Sequence, residues 1–158
     1  MSYTRFLTMI ATSTVIMLGL MYLNTYAWDH IFFSETRTYM AIYMGSAMAI
    51  IMLAFMLGMY TNRKLNIAIF AVSALIFAGS VYLVRSQDTV EDISWMKAMI
   101  PHHSIAILTS SRANISDPRV RKLADNIIEA QKREIGEMKA LIVDLEGGPA
   151  ATPEIDGR

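Results

Sequence analysis

The chain of 158 residues contains no cysteine. That removes disulfides, thiolate metal sites and thiol catalysis, while fitting an oxidising compartment as well as a reducing one. It also lacks a net charge: fourteen Lys and Arg balance fourteen Asp and Glu, so no global field argues for nucleic acid or for an acidic partner. No Ser/His/Asp set, Gly-rich phosphate loop or zinc-protease motif is present, and the chain reads as something other than an enzyme. Charge itself is scarce, at 18% of residues against 54% hydrophobic. This is more apolar than a soluble domain of this length usually needs.

The scarcity is concentrated. Residues 6–28, 38–62 and 65–84 carry no charged side chain, and at about 1.5 Å rise per residue each run is long enough to cross a hydrocarbon core of about 30 Å. The sequence therefore predicts three transmembrane helices within a membrane domain at 1–85. Thr25-Tyr26-Ala27 has some likeness to a signal-peptide cleavage site, but the apolar run before it exceeds the usual ~7 to 15 residues, which favours a retained helix. Small residues one turn apart, Gly45 with Ala49 and Ala74 with Ala78, have the spacing that lets helices approach closely in lipid. Arg5 precedes the first run and Arg63-Lys64 follow the second, so the basic residues place the amino terminus in the cytoplasm. Three crossings then put everything beyond Val84 on the opposite face, the periplasm or exterior if the membrane is a bacterial inner membrane. Tyr26, Trp28 and Tyr82 suit the interfacial aromatic belt.

After Arg85 the pattern becomes amphipathic. Asp88 and Glu91 have the spacing of a capping box before a helix that runs to about Ala113. Residues 114–116 form a turn, Asp117 caps a second helix, and Pro118 stands at its first position, where a missing amide hydrogen costs nothing. Gly147-Gly148-Pro149 end that helix near Glu146. The expected fold is all-α: three transmembrane helices, an antiparallel helical hairpin at 86–146, and a disordered tail at 147–158.

What is plentiful is methionine, at thirteen residues. On the first hairpin helix, Met99 lies three and four residues before His102 and His103 and so shares their side. Pro101 deprives the Lys97 carbonyl of its helical partner and predicts a kink where the histidines begin. On the second helix, the stripe Ala124, Ile127, Gln131, Glu134, Met138, Leu141 and Leu145 is interrupted by Gln131 and Glu134, which need a partner if buried. The alternative stripe through Ile128, Ile135 and Ile142 leaves Glu134 at the edge of the packed face. Antiparallel pairing sets Met99, His102 and His103 opposite Gln131, Glu134 and Met138. Imidazole and thioether donors without thiolate favour copper, with methionine preferring Cu(I). The Glu-x-x-His pairs of a di-iron site are absent. Met17 and Met21 in the first span, and Met40, Met44, Met48, Met52, Met56 and Met59 in the second, read as packing residues, a thioether relay being the sharper alternative. His30 in the outer loop is either an interfacial histidine or an extra ligand.

Residues 95–107 (WMKAMIPHHSIAI) and 117–141 (DPRVRKLADNIIEAQKREIGEMKAL) resemble the DUF305 family, a ferritin-like helical family whose members include periplasmic copper-binding proteins. The resemblance implies half of a ferritin-like four-helix bundle and a metal site at Met99, His102, His103, Gln131, Glu134 and Met138. Two departures stand out. The family often has a further Met where this chain has Leu108-Thr109, and many members carry two hairpins where this chain has one behind a membrane anchor. The apolar face expected on the hairpin, including Met96, Ile100, Ile107, Ile127, Ile135, Leu141 and Leu145, is more than one antiparallel contact covers, so a homo-oligomer, at least a dimer, is expected. The other reading is a structural or accessory subunit whose hairpin docks on a larger membrane complex and has no metal role.

Overall fold

The computed structural model describes residues 2–148, and these contain helices and no strand. The elements are α1 (Tyr3–Leu20), a short 3-10 turn (Trp28–His30), α2 (Glu35–Phe55), α3 (Arg63–Ser86), α4 (Asp92–Arg112) and α5 (Pro118–Leu145). α1, α2 and α3 are each long and apolar enough to cross a membrane. The expected tail from residue 149 onward lies outside the described residues. The described residues divide into two compact units: α1, α2 and α3 form one, while Asn24–Ser34 groups with residues 91–148 in the other. The loop between the first two spans therefore packs with the hairpin.

In the first unit α2 packs against both α1 and α3. Its buried face is built from small residues, Ala41, Gly45, Ser46 and Ala49, which bring backbones close where lipid supplies no hydrophobic drive between helices. Gly45 is required there, because a Cβ would run into Thr14 Oγ1 of α1. The second small pair behaves differently. Ala74 and Ala78 are exposed, and α3 instead buries Asn66, Ser73 and Ser80 at seven-residue spacing. At one end of the unit Phe6, Leu53 and Tyr60 form a buried cluster, with Met52 and Met56 packed against it as ordinary filling. Tyr3 Oη donates to Asn66 Oδ1 (2.8 Å), and Asn66 Nδ2 donates to the Tyr60 carbonyl (2.7 Å). Asn62 starts α3 by accepting from the Leu65 amide.

Helix limits differ from those expected in two places. α1 stops at Leu20, short of residue 28, and Arg37 in the first turn of α2 donates to the Met21 carbonyl while lying 4.6 Å over the Tyr22 ring. α2 thus begins in a charged turn that the charge-free run omitted. The Asp88 and Glu91 pair is not a capping box: α4 begins at Asp92 with Glu91 at the N-cap and no side-chain cap bond. Asp88 is engaged elsewhere, accepting from Tyr82 Oη (2.9 Å), and α3 ends at Gln87 in the left-handed region (φ 58°).

Replacing Gly45 by Ala is expected to destabilise the first unit by about 1–3 kcal/mol, the usual cost of overpacking. Adding Thr14→Ala should recover most of the loss, because it removes the hydroxyl that the new methyl meets. Unfolding of both variants in detergent checks the pair; equal destabilisation by the single and double variants would place the strain elsewhere.

Candidate metal site

The hairpin is pinned at both ends. Asp117 caps α5 by accepting from the Arg119 amide (2.8 Å), with Pro118 at the first helical position. Arg121 donates to the Ser110 carbonyl (2.9 Å) beside the turn, and Lys97 pairs with Glu146 at 2.6 Å at the other end. These contacts make α4 and α5 antiparallel. Between them lies a core of Met96, Ile100, Ile107, Ile135, Met138 and Ile142, with Phe32, Ile93, Met99 and Ile128 packed on it.

The core decides how α5 is rotated. Ile128, Ile135 and Ile142 turn toward α4, whereas Leu141 and Leu145 are exposed, so the stripe through Ile127, Leu141 and Leu145 is not the packed one. The physical reason is the carboxylate: this rotation leaves Glu134 at the rim, its side chain 40% exposed, and avoids burying it. Met96, Ile100, Ile107 and Ile135 are consequently buried within the hairpin itself, which corrects the expectation that they belong to an open face. α4 carries through Pro101 as helix, and Pro101 is buried in it.

His103 Nδ1 lies 3.1 Å from Glu134 Oε2, and Gln131 Nε2 reaches the same oxygen at 3.4 Å. Yet Nδ1 is buried and has no hydrogen-bond partner in line with it, so the carboxylate is a close charge that does not lie along the ring N–H direction. Burial holds the His103 imidazole below its ordinary pKa; Glu134 works against that and His102 works with it. Met138 is buried and Met99 partly buried in the adjoining core. His102 is exposed, its ring centroid 6.2 Å from that of His103. Of the six candidate residues, His103, Gln131 and Glu134 are therefore brought together, Met99 and Met138 belong to the hydrophobic core of the hairpin, and His102 faces outward. Among the described residues no three His, Cys, Asp or Glu side chains group closely enough to hold a metal ion.

His30 has another role. Ser104 is fully buried on α4; its Oγ accepts from the Tyr26 amide (2.7 Å) and lies 2.9 Å from His30 Nδ1. With the hydroxyl accepting from Tyr26, its own proton is free for His30 Nδ1. Lys139 pairs with Asp29 at 2.6 Å. Ser104, Asp29 and Lys139 thus fasten the loop to the hairpin. Sequence reading passed over them; the one signal was a serine on the apolar face of α4.

An all-helical chain with three membrane-length helices and a helical hairpin is the class these observations define. Residues 83–154 match the family described as Domain of unknown function (DUF305), which supports that family for the hairpin segment. An uncharacterised protein of Acanthamoeba polyphaga mimivirus is 41% identical over 64 residues, covering 39% of this chain and 42% of that protein. The chain thus spans less than half the length of this curated relative. No solved structure matches.

A group whose folded pKa is depressed below its unfolded value of about 6.5 leaves the folded state holding fewer protons. Stability linked to His103 is therefore complete above about pH 6.5 and is lost as pH falls from there through the lowered folded value. NMR titration of the metal-free full chain in detergent should show His103 below 6.5. Glu134→Gln should lower it further, since it removes the charge that opposes the burial effect; a rise would mean that Glu134 does not act on His103.

Proposed function

We propose that the chain is a membrane-anchored metal-binding protein of copper homeostasis, holding copper, with Cu(I) favoured, in its hairpin. The observation that carries this is the buried His103 Nδ1 without an aligned partner. A neutral imidazole with an uncommitted nitrogen is the form that ligates metal, and burial keeps His103 neutral. The candidate donors of the hairpin fit copper: two thioethers at Met99 and Met138, a carboxylate at Glu134 and an amide at Gln131, with no thiolate. That mixture of soft and borderline donors suits Cu(I) better than hard cations. When bound, copper would supply a one-electron redox ion for storage or transfer; His103 and His102 would hold it through nitrogen, Met99 and Met138 through sulfur, and Glu134 and Gln131 through oxygen, the carboxylate also balancing its charge.

The hairpin is read as half of a ferritin-like four-helix bundle on the periplasmic or outer face of a bacterial inner membrane. Arg5, Arg63 and Lys64 support a cytoplasmic amino terminus. The packing of Asn24–Ser34 with the hairpin fits three crossings, which put that loop and the hairpin on one side of the membrane in either orientation. Reporter fusions after Asn62 and after Val84 should give opposite signals, and an inward-reporting fusion at Glu146 would overturn the topology.

Copper titration of the full chain in detergent against a competing chelator tests the binding. His103→Ala is expected to weaken Cu(I) binding by at least about tenfold, or about 1.4 kcal/mol, and Met99→Leu to weaken Cu(I) more than Cu(II). Binding no stronger in the native chain than in the His102→Ala, His103→Ala double variant would return the hairpin to the role of an accessory docking element.

A further inference from the structure

The hydrogen bonds and the ion pair that fasten the loop mark one flank of the hairpin. They fall on Ser104 and Lys139, and helical periodicity puts both on the same side of the α4–α5 plane. On the opposite flank α4 exposes Trp95 (50%) and His102, and α5 exposes Leu123 (59%) and Leu141 (46%). Along α5 this flank reads Leu123, Ile127, Ala130, Glu134, Leu141 and Leu145, spaced by three, four and seven residues. That is the seam of a helix with a second helical neighbour, in addition to the seam already packed on α4. A copy running in the opposite direction about a two-fold axis near Lys132 sets Leu123 against the other copy's Leu141 and small Ala130 against its Glu134, while Ile127 meets Glu137.

Charge along the hairpin points the same way. At the open end Glu91, Asp92, Asp144 and Glu146 exceed Lys97, whereas at the turn Arg112, Arg119, Arg121 and Lys122 exceed Asp117 and Asp125. α5 has no acidic residue in its first turn and no basic residue in its last, the reverse of what its own dipole favours. A head-to-tail neighbour brings basic ends against acidic ones. His102 lies at the midpoint of α4 and Glu134 close to that of α5, so a two-fold axis across the middle of the hairpin would pass beside both.

We infer that a second copy of this chain seats on this flank, head to tail, and that the metal site is completed by both copies, each supplying His102, His103 and Glu134 at the shared centre. The inference rests on the copper reading for its ligand and on the seam and charges for its partner. It explains why His102 faces outward, and why one hairpin gathers too few His and acidic donors for a site of its own.

Because the chain has no cysteine, single cysteines can be placed freely in the full chain and joined with a short bis-maleimide in native membranes without copper. Ala130→Cys is expected to yield a covalent dimer. Lys132→Cys, two residues on and turned toward the loop-covered flank, should stay monomeric. Chains carrying Leu123→Cys should join to chains carrying Leu141→Cys in preference to their own kind. Equal joining at 130 and 132, self-joining at 123, or a monomeric detergent particle that still binds copper through His103 would overturn the second copy and leave the copper reading standing. A dimer joined through 130 that takes up no Cu(I) would instead overturn the copper reading and support the interface.

Discussion

The rotation of α5 about its own axis governs the hairpin. Nearly eight turns of helix must turn an apolar face to α4 while carrying Gln131 and Glu134 near the middle, and a buried uncompensated carboxylate costs several kcal/mol at least. Turning Ile128, Ile135 and Ile142 inward solves this by leaving Glu134 at the rim. Everything chemical in the hairpin follows from that choice. His103 faces the rim carboxylate, Met138 falls inside the core, and Leu123 and Leu141 are left outside.

The loop Asn24–Ser34 adds an asymmetry that the hairpin alone lacks. A fully buried hydroxyl needs its hydrogen bonds satisfied, and Ser104 obtains them from the Tyr26 amide and His30, neither of which belongs to the hairpin. Phe32 packs on the hairpin core from the same segment. One flank is therefore closed by covalently connected chain, and the chemistry at His102 and Glu134 is confined to the other.

Much of this was legible in the sequence, and the failures have physical causes. Charge-free runs and the Asp117-Pro118 start are local signals, and both located their helices. The hairpin register was also legible, since a short turn forces antiparallel pairing and mid-helix residues must then meet. The rotation of α5 was not decided by pattern, because two apolar stripes one residue apart overlap, and only the cost of burying Glu134 separates them. The capping box at Asp88 failed because Tyr82, on the preceding helix, takes the carboxylate first. The loop–hairpin contact was invisible, since it joins residues more than seventy positions apart, with Tyr26 and His30 on Ser104 and Asp29 on Lys139. Ala74 and Ala78 failed for a related reason: small residues permit close approach in lipid but do not require it, and α3 turned its buried serines inward instead.

The donor set has a logic that links composition to compartment. Thiolates bind copper tightly, but on an oxidising face they are lost to disulfides and higher oxidation states. Thioether sulfur accepts Cu(I) without forming disulfides, and a neutral imidazole accepts both copper oxidation states. A chain with thirteen methionines and no cysteine can therefore keep its sulfur ligands intact on the outer face proposed for the hairpin. Ten of those methionines lie within residues 1–60, where Met52 and Met56 fill space around Leu53 and Tyr60. Flexible packing in lipid accounts for them without metal. Met99 and Met138 differ because they lie in the core of the hairpin that also carries a buried imidazole nitrogen lacking an aligned hydrogen bond, and it is that shared hairpin, more than the abundance of sulfur, that makes them ligand candidates.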